Sequence, residues 1–386
     1  MKFFMDSIYL DNAATTPVLE EVVHIMTQTL SASFGNPSSI HSQGRTAKSL
    51  IENTRKSIAK ELGAHPKEII FTSGGTEGDN MILQGAVHGL GVETIITSKI
   101  EHHAVLHAVE NLEKTSSATV KYVKVLPDGS PDIDDLERLL QNDSTKKLVS
   151  LIHVNNELGT IIDLETIGNL CQKNNAFFHS DTVQSVGHYC LNLQELPIDF
   201  LVAAAHKFHG PKGIGFVFIR KETGLQSLLF GGGQERGLRA GTESVHNIVG
   251  LGEAFSHAYT NLDDDQSQIT DLKSYCIDQL TSKIPNLSFN GCCDDFSKST
   301  YTILNVRIPM SADKANLLGF TLDLKGICCS KGSACQAGSE TGSHVLNHIL
   351  SEKQLQSPSI RLSFSKFNTK KDIDQLVNVL EEYINS

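Results

Sequence analysis

Between residues 69 and 219 the chain repeats one unit: a short run rich in β-branched and aromatic residues, then a segment of helical periodicity. The runs are Ile69–Ser73, Thr94–Ser98, Val120–Val125, Leu148–Val154, Ala176–Asp181, Phe200–Ala204 and Gly213–Ile219. Strands that alternate with helices are joined by crossovers, and crossovers give a mainly parallel sheet covered on both faces. The predicted fold class is therefore α/β, with a mainly parallel seven-stranded sheet between helices. Ligands of such sheets bind outside the carboxyl ends of the strands. Before Ile133, Leu136, Leu139 and Leu140, the triplet Ser130-Pro131-Asp132 predicts a helix start, with proline at the first helical position behind a capping residue.

After about residue 260 the pattern changes. A long polar helix is predicted over Asp263–Ser282, then a strand at Thr302–Ile308, a helix near Ala312–Leu324 and a strand at Ile360–Phe364. The chain closes on a helix with Ile373, Leu376, Val377, Leu380 and Ile384 on one face and Thr369 as its N-cap. This reads as a smaller α+β domain. The expected division is a large domain over 14–258 and a small one made of 1–13 and 259–386. No Pro- or Ser-rich linker marks the boundary, so a helix is expected to join them.

Charge and composition remove whole classes of function. Lys plus Arg number 33 against 44 for Asp plus Glu, a net charge of −11, which disfavours a nucleic-acid partner. No stretch approaches the roughly 20 apolar residues of a membrane span, and the apolar start MKFFMDSIYLDN is broken at Asp6. Eight cysteines, with adjacent pairs Cys292–Cys293 and Cys328–Cys329, do not form a disulfide framework, so a reducing cytoplasm is expected. Cys328, Cys329 and Cys335 do not have the C-x2-C pairing of structural zinc, and no metal is expected.

Three places carry candidate chemistry. Ile69–Ser73 runs into Gly74-Gly75-Thr76-Glu77 and then a helix; free N–H groups and the helix dipole at such a start favour phosphate. Lys207 lies just after a buried strand in Ala203-Ala204-Ala205-His206-Lys207-Phe208-His209-Gly210-Pro211-Lys212-Gly213. Burying its stem and lowering its pKa would suit Schiff-base chemistry, while a strand-end lysine facing water is the plainer reading. Asp181, in His179-Ser180-Asp181-Thr182-Val183-Gln184, stands at a strand's carboxyl end. There it either pairs with a pyridinium nitrogen or caps the next helix.

Taken together with their neighbours, these segments resemble the cysteine desulfurases, class-V aminotransferases of pyridoxal-phosphate (PLP) fold type I. The resemblance runs in order through YLDNAATTP (Tyr9–Pro17), FGNPSSIH (Phe34–His41), FTSGGTEGDN (Phe71–Asn80), EHHAVL (Glu101–Leu106) and HVNNELGT (His153–Thr160). It continues through HSDTVQSVG (His179–Gly187), HKFHGPKGIG (His206–Gly215), GGGQERGLRAGTES (Gly231–Ser244), GSACQAGS (Gly332–Ser339) and SIRLSFSKF (Ser359–Phe367). It implies an enzyme, a PLP-dependent sulfurtransferase that removes sulfur from L-cysteine, giving L-alanine and a persulfide on Cys335. Lys207 would bind PLP covalently and shuttle the substrate Cα proton. His102 would stack on the ring and act as acid and base. Asp181 would pair with the ring nitrogen and Gln184 with the phenolic oxygen. Gly75, Thr76 and His206 would surround the phosphate, with Thr242 reaching in from the other subunit of a homodimer. Asn36, Asn155 and Arg361 would hold the substrate, Asn155 also touching the cofactor; on residues alone, Asn155 reads equally as a turn residue and Arg361 as a surface charge.

The same resemblance makes Cys335 the nucleophile, in a stretch of small residues like the loop of group I desulfurases. Such a loop delivers sulfur to a separate acceptor: an iron–sulfur scaffold, a tRNA-thiolation enzyme or another thio-cofactor pathway. A buried inert cysteine is the reading for Cys171 and Cys190. Selenocysteine lyase, and a sulfur-relay protein that depends on a partner, are the alternatives. Three departures stand out: Ala204 where the family usually has Ser, Gly78 for a common Ser, and Ser365-Lys366 for the usual Gly-Arg.

Overall fold

The computed structural model describes residues 7–310, 312–331 and 342–385. Its strands are β1 (Ile8–Tyr9), β2 (Ile69–Thr72), β3 (Thr94–Thr97), β4 (Thr119–Tyr122), β5 (Lys147–Ser150), β6 (Phe177–Asp181), β7 (Phe200–Ala204) and β8 (Gly215–Ile219). There follow β9 (Ser288–Phe289), β10 (Ile303–Arg307), β11 (Ile327–Cys328), β12 (Ser330–Lys331) and β13 (Ser359–Ser363). β2 to β8 form one seven-stranded sheet in the order β2-β8-β7-β6-β5-β3-β4. Only β8 runs against its neighbours; the other pairings are parallel.

Two-residue alternation sorts side chains onto the two faces of this sheet. Leu201, Ala203, Phe216 and Phe218 point to a core shared with the helices Glu20–Ala32, Ser42–Glu61 and Val245–Thr260. Phe200, Val202, Val217 and Ile219 point to the other, under the helices Gly75–His88 and His103–Thr115. Each fully buried phenylalanine contributes about 1.5–3 kcal/mol by its removal from water, so both faces are firmly held. The carboxyl ends of the parallel strands therefore present a rigid edge.

A second core lies around the antiparallel sheet β12-β13-β10-β9 and the parallel pair β1-β11. The helices Leu262–Lys283 and Lys370–Asn385 cover it through Ile269, Leu272, Cys276, Leu280, Ile373, Leu376 and Leu380. The preceding helix, Val245–Thr260, buries Ile248, Leu251 and Phe255 in the first core. Asn261, between the two helices, is where the chain passes from one core to the other. Among the described residues no helix is long and apolar enough to cross a membrane.

All seven strands expected between residues 69 and 219 are present, most of them shorter than their sequence runs. Beyond Ser150 the chain leaves regular pairing, although Leu151 and His153 still donate to the carbonyls of His179 and Asp181 at 3.1 and 2.9 Å. One helix start differs from expectation. The helix begins at Ile133 with Asp132 as cap, its Oδ1 accepting the Asp135 N–H at 3.1 Å. Pro131 lies outside, bridged to Val125. Ser130 does not cap because its hydroxyl and N–H both donate to Asp128 Oδ1, at 2.6 and 3.0 Å.

Candidate active site

A cleft of about 400 Å³ opens at the carboxyl edge of the large sheet. Gly75, Thr76, His102, Asp181, Gln184, Ala204, His206, Lys207 and Arg361 all line it. One end is the turn after β2. Gly74 adopts φ 153°, and the helix Gly75–His88 starts with no side-chain cap, so its first N–H groups are offered to an anion. Two glycines here are set by packing. A Cβ on Gly75 would lie 2.8 Å from Val183 Cγ2, and one on Gly78 2.8 Å from both Val202 Cγ1 and Val217 Cγ1. A serine at 78 would require these valines or the helix to shift, so glycine suits this helix–sheet contact. Glu77 does not spoil the anion site: it accepts from the Ser73 N–H at 2.7 Å and from Arg239 at 2.7 and 3.1 Å. Against the desolvation it suffers, these bonds hold its carboxyl below the usual range.

The turn Ala205–Lys207 follows β7 directly and aims the lysine at the middle of the cleft. Lys207 Nζ donates to the carbonyls of Ala13 and Ala14 at 2.5 and 2.9 Å. Burial, helped by the Arg361 charge and opposed by Asp181 and Asp11, pushes its amine down to about 8. Asp181 ends β6, is 3% exposed, and accepts from the Val183 N–H at 2.9 Å. Burial pushes its carboxyl up, while His102 and Lys207 pull it back. His206 is driven to about 4 by burial and the Lys207 charge, so its ring is neutral. Gln184 Nε2 donates to the Ala13 carbonyl at 2.9 Å.

His102 is the cap of the helix His103–Thr115, its Nδ1 accepting the Ala104 N–H at 3.1 Å. A neutral ring in that position carries its proton on Nε2. Desolvation, against the pull of Asp181, holds the imidazole below its ordinary pKa. At the far end Arg361, on β13, donates from Nη1 to the Asn156 carbonyl at 2.8 Å and from Nη2 to Asp11 Oδ1 at 2.9 Å.

The remaining expected residues are placed elsewhere. Asn155 sits behind the wall, its Nδ2 on the Ile100 carbonyl at 2.9 Å and its Oδ1 on the N–H groups of Glu157 and Leu158 at 3.0 and 2.9 Å. Its neighbour Asn156 lines the cleft. Asn36 and Thr242 are exposed and do not line it. Cys335 lies outside the described residues. Cys171 is buried, and burial pushes its thiol far up. Cys190, expected to be buried, is exposed: it stands past the Thr182–His188 turns, at the end of the segment that leaves β6.

Sequence reasoning missed two contributors. Asp79 lines the cleft one helical turn after Gly75, a spacing that a count of three or four residues would have exposed. The segment Asp11–Thr16 touches four of the site residues: Asp11 on Arg361, Ala13 on Lys207 and Gln184, and Thr15 on His206 at 3.3 Å. It works largely through backbone carbonyls, which leave no side-chain signature.

The pattern that defines aminotransferase class-V matches residues 8–376. Among curated proteins, "Cysteine desulfurase IscS" of Dictyoglomus turgidum is 41% identical over 379 residues, 98% of this chain and 94% of that one. Among solved structures, a NifS-like protein superposes with TM-score 0.88 at 34% identity, covering 98% of this chain and 99% of the other. SspA, solved in complex with cysteine, superposes with TM-score 0.79 at 33% identity over 94% of this chain and 99% of its own.

Proposed function

The chain belongs to the class-V aminotransferase family, and from that premise we infer that it is a PLP-dependent cysteine desulfurase, turning L-cysteine into L-alanine and a persulfide on Cys335. The observation that carries this reading is the meeting of four groups in one cleft: the uncapped Gly75 helix start, the Lys207 amine near 8, the buried Asp181 and the Arg361 fork. These suit the polar ends of PLP and its substrate in turn: the helix N-terminus would hold the phosphate, Lys207 the aldehyde, Asp181 the ring nitrogen and Arg361 the amino-acid carboxylate. When bound, PLP supplies an electron sink for the bonds at the substrate's α-carbon.

The chain's own residues do the rest. Lys207, already desolvated, needs little energy to lose its proton; it would hold the PLP aldehyde and carry a proton to and from the substrate Cα. Asp181 would pair with the ring nitrogen: burial raises its carboxyl, and the Val183 N–H, His102 and Lys207 act against that rise to favour the charged form. The neutral His102 has its free Nε2 edge for the substrate thiol. The Cys335 thiolate forms a bond to the substrate sulfur as the Cβ–S bond breaks. The sulfur stays on the protein, and the carbon skeleton takes up protons and leaves as L-alanine.

The two residues outside the cleft point to a homodimer. Asn36 stands between Phe34, 80% exposed, and Ile40, 90% exposed; Phe230, 91% exposed, opens the segment that leads to Thr242. Such apolar side chains in water mark a contact surface, and a second copy seated there is consistent with Thr242 serving the neighbouring subunit, as the family resemblance implies. The two cores support a division into 14–258 and 1–13 with 259–386. Free cysteines throughout the described residues suit the cytoplasm. From Cys335 the sulfur would pass to an acceptor protein such as an iron–sulfur scaffold. The test is chemical: the PLP-loaded protein given L-cysteine and a thiol should yield L-alanine and sulfide in equal amounts, and alanine formation without sulfide would exclude desulfuration.

A further inference from the structure

Arg361 is already engaged by a carboxylate of its own chain. Its Nη2 donates to Asp11 Oδ1 at 2.9 Å and to Ser330 Oγ at 2.8 Å, and Ser330 Oγ donates to Asp11 Oδ1 at 2.7 Å. Nη1 donates to the Asn156 carbonyl, and Nε is buried with no hydrogen-bond partner among the described residues. A guanidinium grips a carboxylate bidentately on two edges, the Nη1–Nη2 end or the Nε–Nη2 side. Both edges contain Nη2. That is the nitrogen Asp11 and Ser330 hold.

The backbone fixes this triangle. Ser330 and Arg361 are direct cross-strand partners of β12 and β13, and Asp11 is bridged to Ser363 in the same strand as Arg361. The Asp11 side chain is 23% exposed against 10% for Arg361, so the acid, not the base, has water to return to. We propose that Asp11 is an internal competitor for the substrate carboxylate, a positioning residue that sets how tightly Arg361 holds an amino acid. The inference rests on the reading of Arg361 as the substrate clamp. Amino-acid binding is then an exchange of one carboxylate for another at Nη2. Until the exchange, Asp11 keeps the desolvated guanidinium compensated. After it, Asp11 keeps the Ser330 hydroxyl and stands as a like charge beside the bound substrate.

L-Alanine tests this without sulfur chemistry, because it carries the carboxylate and no thiol. The PLP-loaded protein is titrated with L-alanine and the change in cofactor absorption is followed. The natural chain is compared with Asp11→Asn, Asp11→Ser, Ser330→Ala and Arg361→Ala. Removing the competing charge should tighten L-alanine binding by about five- to tenfold in both Asp11 variants, and the gain should shrink as salt screens it. Ser330→Ala removes a neutral partner and should change affinity by no more than about twofold. Equal or weaker binding in both Asp11 variants, in proteins that melt where the natural chain does, overturns the proposal. Should Asp11→Asn melt early, Asp11→Ser decides by the same criterion. Unchanged L-alanine binding in Arg361→Ala would overturn the clamp reading itself, a different result from failure of the competition.

Discussion

At the cofactor end of the cleft Lys207, Asp181 and the Gly75 helix start all grow from one sheet and its two packed faces, whereas at the substrate end Arg361, Asp11 and Ser330 meet from three separate segments around the smaller sheet. The first region works by desolvation: burial lowers the lysine and raises the aspartate before any ligand arrives. The second works by exchange, holding a base on an internal acid until an external one replaces it. A permanent ligand is matched by preset groups, and a ligand that comes and goes by a replaceable ion pair.

The largest effect should fall at the first region. Lys207→Ala should abolish covalent cofactor entirely, seen as the loss of borohydride-fixed PLP by mass spectrometry. The pH dependence follows from the same burial. Lys207 is depressed to about 8 from the ~10.4 of a free lysine, so its reactive neutral form accumulates at lower pH. PLP capture by the cofactor-free chain should rise with pH and level off just above 8; a rise continuing past 10 would mean that the amine is not desolvated.

Next comes the substrate end. Arg361→Ala removes a charge-assisted pair of about 1.5–3 kcal/mol, so amino-acid affinity should fall by roughly ten- to a hundredfold while PLP retention stays unchanged. Loss of PLP in step with substrate would break the contrast between the two regions. The smallest effect concerns Ala204, which lines the cleft beside His206 without a hydroxyl. Ala204→Ser adds one hydrogen bond to a charged phosphate, and should slow PLP dissociation by about tenfold. An unchanged rate would show the Gly75 turn already satisfies the phosphate.

Much of this was legible in the chain. Phe200–Ala204 appears as a strand with its predicted bounds because every residue is buried and the run has no competing signal. Leu148–Val154 was overrun because apolar character continues past Ser150, where the backbone turns toward Asn155. Lys207 and Asp181 could be found because side-chain chemistry at a strand end marks them, while His102 was named from resemblance. Asp11 could not, since its role depends on β1 meeting β11 across more than 300 residues of chain. Asn36 and Thr242 were named from resemblance, and a single copy of the chain does not bring them to its own cleft.

The central claim, that sulfur moves from L-cysteine to Cys335, is tested most directly by peptide mass spectrometry after one turnover without added thiol. The account predicts one extra sulfur atom on the peptide containing Cys335, and a Cys335→Ser protein that keeps PLP and binds amino acid yet forms no alanine. Sulfur found instead on another cysteine, or normal alanine formation by Cys335→Ser, would contradict it.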